Sequence, residues 1–183
     1  MAYFYFDFRD EKKKHRHNLL SSLLVQFAAH SIPCCYIISH VYSTHGNGTQ
    51  PPSEEVLTNC LINMLSVMGQ LPIYLIVDAL DESPNTSGVR SPRERVLNLI
   101  NDLVNLRQPN LHICATSRPE ADISIRLEPL ASRRVSLHDQ AGHKEDIIKY
   151  INSEVDFIAN NKRWRGDDKE LVIETLSMKA DGM

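Results

Sequence analysis

The stretch IYLIVDALDE, residues 73–82, is apolar from Ile73 to Val77 and then places three acids close together: Asp78, Asp81 and Glu82. Carboxylates at this spacing repel one another unless a cation compensates them. Hydrated Mg2+ suits such a place, because it takes oxygen ligands and few of them from protein. A carboxylate beside the ion can orient and deprotonate an attacking water. The competing reading is a solvated acidic turn after a core strand. A second stretch, ATSRPE at 115–120, also closes a short apolar run, and it gathers Thr116, Ser117 and Arg118. An arginine there can read a terminal phosphate through paired hydrogen bonds. Its plainer reading is the start of a surface loop before Pro119.

The elements that must position these groups follow from periodicity. Residues 73–78 are apolar and β-rich, a buried strand, and 111–117 is a second short strand. Residues 3–8, YFYFDF, form an aromatic strand whose rings alternate into core on two faces. Leu19, Leu20, Leu23, Leu24 and Phe27 mark a helix over 18–30 that closes before Pro33. Ser53 caps a helix running to about Met68. Ser91-Pro92-Arg93-Glu94 is a capping box with proline in the first helical position, opening a helix to about Leu106. Residues 133–137 read as one more strand, 143–158 as a helix, and Asp167 as the cap of a last helix with Glu170 reaching back. Strands separated by helices predict an α/β fold with a parallel sheet covered on both faces. In such a sheet the C-terminal strand ends form the ligand edge, so Asp78 and Thr116–Arg118 meet there. The expected division is an α/β core over 1–140 and a helical segment over 141–183, with the boundary near 138–142.

Bulk properties narrow the function classes. The chain has 183 residues, 42% hydrophobic and 23% charged, with a net charge of −3. That balance gives no electrostatic footprint for nucleic acid or a membrane surface. No stretch approaches the roughly 20 apolar residues of a membrane span. The N-terminus lacks the order of a signal peptide. These features read as a soluble, cytoplasmic protein. The four cysteines read as buried reduced thiols, and the eight histidines show no metal-ligand spacing. The basic run Lys12 to His17 reads as a solvated loop, and Trp164 as a helix-packing anchor.

Together the two stretches resemble one family. An apolar strand ending in DxxDE is similar to the Walker B motif of NACHT-type NTPases, and a strand ending in TSRP is similar to their sensor 1. The phrases YFYFDFRDEKK, LLSSLLVQF, QPNLHICATSRPE and LASRRVSLHDQ resemble the NACHT region of fungal NLR-like proteins. The resemblance covers nearly the whole chain. It implies a P-loop NTPase-type parallel sheet, incomplete here, with Mg2+ and ATP (or GTP) as cofactors. It implies that Asp78 holds Mg2+ through water, that Glu82 with Asp81 beside it polarises the hydrolytic water, and that Arg118, with Thr116 and Ser117, senses the γ-phosphate. Implied partners are other NACHT or NLR-like chains by self-association, with a repeat domain downstream.

One family part has no counterpart. A phosphate loop needs GxxxxGK[ST], and none of the seven glycines begins it. In the family that loop and its strand precede the segment similar to YFYFDF, so the expectation is a NACHT domain cut at both ends. Its sheet should keep strands 3–8, 73–78 and 111–116 paired, and the strand near 133–137 should be detached or unformed. Nucleotide binding and hydrolysis should then be weak or absent. A second reading is a non-catalytic interaction module whose acids are idle and whose helices bind a partner. A third is a true start upstream of Met1 that restores the phosphate loop.

Overall fold

A computed structural model of the chain describes residues 1–69, 71–86, 90–136, 143–162 and 164–179. It separates into two compact units, Met1–Ala131 and Ser132–Met183. In the first unit the order is β1 (Ala2–Tyr5), α1 (Arg16–His30), α2 (Ile32–Thr44), α3 (Glu54–Val67), β2 (Ile73–Asp78), α4 (Pro92–Asn105), β3 (Leu111–Ala115) and α5 (Ala121–Leu127). The second unit holds α6 (His143–Lys162) and α7 (Gly166–Lys179).

The fold is α/β. Its three-stranded sheet is parallel in the order β1-β2-β3, with helices flanking it and a helical C-terminal part. The predicted pairing of the first three strands is what the structure shows. Register sets Tyr5 beside Asp78 and Val77 beside Ala115, so all the C-terminal strand ends lie at one edge. Arg133–Ser136 forms no strand, and Leu137 lies outside the described residues. The suggested boundary at 138–142 also falls on residues that are not described.

Period-2 alternation decides which side chains meet the core. Ala2, Phe4, Ile73, Leu75 and Val77 are buried on one face, in the same apolar cluster as α1, α3 and α4. α1 packs on β1, and α2 and α3 pack on α1. The opposite face is exposed: Tyr3, Tyr5, Tyr74, His112 and Cys114 lie on it. The Tyr74 and His112 rings stack there, centroids 5.1 Å apart. Among the described residues of the first unit, that face lacks the cover expected on both sides, and the expectation of a two-faced aromatic core is corrected. Phe4 and Phe6 are buried, but Tyr3, Tyr5 and Phe8 are exposed. The Tyr5 hydroxyl accepts from Lys13 Nζ on that outer face, and β1 ends before Phe8.

α2 is the element the periodicity missed. Pro33 stops α1's pattern, yet it occupies the first turn of a new helix that begins one residue after Ser31. Caps elsewhere form as read. Ser53 Oγ accepts from Val56 N at 3.3 Å and Ser91 Oγ from Glu94 N at 3.1 Å. The Glu94 carboxylate, however, accepts from Arg126 instead of closing its box. α7 begins at Gly166, so Asp167 lies in the first turn and is not the cap. Among the cysteines, Cys34 and Cys60 are buried while Cys35 and Cys114 are exposed, and all are free thiols. Burial pushes the Cys60 thiol up. α6 and α7 pack on each other with Ile151 and Val155 buried, and Lys169 pairs with Asp156. Among the described residues, no helix is long and apolar enough to cross a membrane.

Candidate functional site

The site is built where β2 and β3 end. Asp78 is the last residue of β2, and Thr116 is the first residue beyond β3. Thr116 N donates to Val77 O at 3.0 Å, which extends the ladder by one step. The Thr116 hydroxyl then works in both directions. It accepts from Ala79 N at 3.0 Å and donates to Asp78 Oδ1. Leu80 N donates to Thr116 O at 2.9 Å, and the Leu80 side chain is fully buried below.

These bonds hold a tight reversal. Ala79 has φ 53, in the left-handed region that L-residues seldom occupy. A 3-10 turn follows over Leu80–Glu82. Such strain persists only where neighbours over-determine it, and here Thr116 binds the amides of both Ala79 and Leu80. The turn points Asp81 and Glu82 apart. Asp81 Oδ1 accepts from Arg118 N at 3.0 Å, and Asp81 Oδ2 lies 3.5 Å from Arg118 Nε. The Asp81 side chain is only 9% exposed while that of Arg118 is 78% exposed. Glu82 Oε2 accepts from Phe8 N at 3.2 Å. The loop after β1 is thereby tied to the same edge, and Phe6 N donates to Asp78 O at 3.0 Å.

A cleft of about 320 Å3 opens beside this edge. Glu82, Arg118, Lys14, Phe8, Asn85 and Arg93 are among the residues that line it. Asp78 and Thr116 lie outside its lining, and Ser117 is exposed between Thr116 and Arg118. Of the residues read from the sequence, Asp81, Glu82 and Arg118 therefore share the cleft. Asp78 and Thr116 share a hydrogen bond next to it.

The three acids do not converge. Among the described residues, no group of three or more His, Cys, Asp or Glu side chains could hold a metal ion. Each acid has a protein partner: the Thr116 hydroxyl binds Asp78, the cationic Arg118 guanidinium pairs with Asp81, and the Phe8 amide binds Glu82. Asp81, expected beside Glu82 as an aid to polarising water, is engaged by Arg118. Asp78 is exposed, and its Oδ2 has no hydrogen-bond partner among the described residues. A single carboxylate of this kind fits Mg2+ when waters and phosphates complete the shell.

Arg93 was not singled out by spacing. It is 6% exposed and lies at the second position of α4. A helix N-terminus disfavours a cation. An arginine directly after a Ser-Pro cap is thus a readable sign that acidic or carbonyl partners wait nearby.

The family model for the N-terminal region of nephrocystin 3 matches residues 1–118. The chain belongs to the nephrocystin 3 N-terminal family. No curated protein and no solved structure matches it. The nephrocystin 3 N-terminal match takes in the whole sheet, the Asp78–Glu82 turn and the Thr116–Arg118 loop, and it ends at Arg118.

Proposed function

We propose that this chain carries the Walker B and sensor 1 part of a NACHT-type signalling NTPase, a nucleotide-dependent oligomerisation switch of the kind found in fungal NLR-like regulators. One observation supports this most: adjacent parallel strands deliver Asp78 and Thr116–Arg118 to one sheet edge and join them through the Thr116 hydroxyl. In this reading residues 1–140 are the NTPase core without its phosphate-loop strand, and 141–183 begin the following helical subdomain.

Asp78 would hold Mg2+ through water with Oδ2, while Thr116 fixes the carboxylate's rotation. The ion, when bound, supplies positive charge against the phosphates of ATP or GTP. Glu82 borders the cleft with one oxygen bound to Phe8 N, and its other oxygen orients a water. Arg118, highly exposed, leaves its 3.5 Å contact with Asp81 to meet a terminal phosphate. The sequence contains no GxxxxGK[ST], so no backbone cradle or lysine for the phosphates is supplied from these residues. Binding by this chain is therefore weak. Its partners are other NACHT or NLR-like chains.

The satisfied state of the acids favours a second reading, a non-catalytic interaction module. Asp81 and Glu82 already have protein partners, as an inherited but idle turn would. Calorimetry with Mg-ATP and Mg-GTP on folded 1–183 separates the two. The NTPase reading expects weak binding that falls at least tenfold, about 1.4 kcal/mol, in Asp78→Asn. A folded chain that binds neither nucleotide at millimolar concentration supports the interaction module.

A further inference from the structure

We propose that Arg93 is a positioning residue that holds the turn bearing Asp81 and Glu82 against the loop bearing Arg118. The inference rests on the nucleotide reading only for its consequence at the site; the positioning itself needs no ligand.

The guanidinium is buried and fully used. Nε donates to Ser83 O at 3.0 Å, and Nη2 donates to Asp81 O. Nη1 lies 3.3 Å from both carboxylate oxygens of Asp122 and 3.7 Å from Glu120. One side of the fork therefore grips two carbonyls of the turn after β2. The other side grips the segment that follows Arg118 and enters α5. Asp81 closes the circuit, because its own carboxylate binds both the amide and the Nε of Arg118. The path Asp122–Arg93–Asp81–Arg118 ties the two strand-end loops, beside a direct bond from Asn85 Nδ2 to Asp122 Oδ2 at 3.1 Å.

The chemistry calls for arginine. Binding two carbonyls and a carboxylate at once takes a planar fork of donors, which the point charge of lysine lacks. A buried cation that loses its carboxylates is costly, so the pairing is obligatory once the helix forms. In the proposed site this fixes Glu82 relative to the Arg118 backbone, from which the exposed guanidinium reaches. That distance decides whether a water and a terminal phosphate can be held together.

Amide hydrogen exchange on ligand-free 1–183 tests this, comparing the native chain with Arg93→Lys and Asp122→Asn. Asp122→Asn keeps Arg93, its two carbonyl bonds and the Glu120 carboxylate at 3.7 Å, so the cation is not left unpaired. Asn85→Ala, which removes the other bond to Asp122, is measured beside it. Only a loss at Arg118 that Asn85→Ala does not reproduce counts for Arg93. The expected result is at least tenfold faster exchange at the Arg118 and Ser124 amides, with Leu75 and Ile113 unchanged. Unchanged protection at Arg118 in Asp122→Asn overturns the proposal. So does a uniform loss across the sheet, which would make Arg93 a stability residue only. Mg-ATP binding by the same proteins is scored apart. Absence of binding in the native chain sinks the nucleotide reading and leaves the exchange result to stand alone. Native-like binding in a variant whose Arg118 loop has loosened overturns the consequence drawn for the site.

Discussion

Thr116 shows how much one side chain can carry at a strand end. Its hydroxyl accepts from Ala79 N, donates to Asp78 Oδ1, and so stabilises a left-handed alanine while fixing an acid. Thr116→Val keeps the shape and removes both bonds. We expect a loss of about 1–2 kcal/mol, with Thr116→Ser retaining most of it, read from urea unfolding of the three proteins. Equal stability of valine and threonine at 116 would show that the turn is held by Leu80 N and Arg93 alone. Asp78, Thr116 and Arg118 were legible in the sequence because a strand's last residue has a fixed place. The partner of each acid was not. That Asp81 takes Arg118 and Glu82 takes Phe8 N depends on chain segments 37 and 74 residues away, and no local pattern encodes such a pairing.

At the scale of elements, the loop after β1 is the piece most open to pH. Asp7 accepts from the Arg9 guanidinium, Nε at 3.0 Å, and from Arg9 N at 2.9 Å, and these bonds, the guanidinium's first, pull its carboxyl from 3.8 to about 2. A carboxyl depressed on folding stabilises the folded loop in its charged form. That contribution is complete above the ordinary carboxylate value and is lost as pH falls from about 4 to about 2. The Asp7 carboxyl carbon followed by NMR should therefore show its midpoint near 2, and Asp7→Asn should remove the acid-dependent change at the Arg9 amide. A midpoint near 4 would mean the Arg9 contact does not persist in solution. Elements with a clear period and a cap, such as α3, β2 and α4, were read closely from sequence. α2 was missed for a physical reason: Pro33 ends one helix and starts the next, and Ile32–Tyr42 mixes β-branched, aromatic and thiol side chains without a clean apolar stripe.

At the scale of the whole molecule, the order of strands and helices announced the α/β class but not the cover of the sheet. Tyrosine, histidine and cysteine occur both in cores and on solvated faces, so Tyr3, Tyr74, His112 and Cys114 did not declare themselves as exposed. Among the described residues of the first unit, the sheet has one open face. β3 pairs only with β2 among the described residues, so its outer main-chain groups form an edge. Parallel sheets are normally covered on both faces and their edges protected. An edge strand carrying Ile113 and no charged side chain within Leu111–Ala115 lacks the usual guard against edge-to-edge pairing. Cys114→Lys places a charge on the open face of that strand, where it meets solvent rather than core. Sedimentation velocity should then show the monomer persisting to at least tenfold higher concentration than for the native chain. Unfolding stability should change by less than about 0.5 kcal/mol, as for other surface substitutions. The exposed thiol has to be separated from the edge itself, which Cys114→Ser does. If serine suppresses association as well as lysine, disulfide linkage through Cys114 is the cause. If neither does, association does not run through β3.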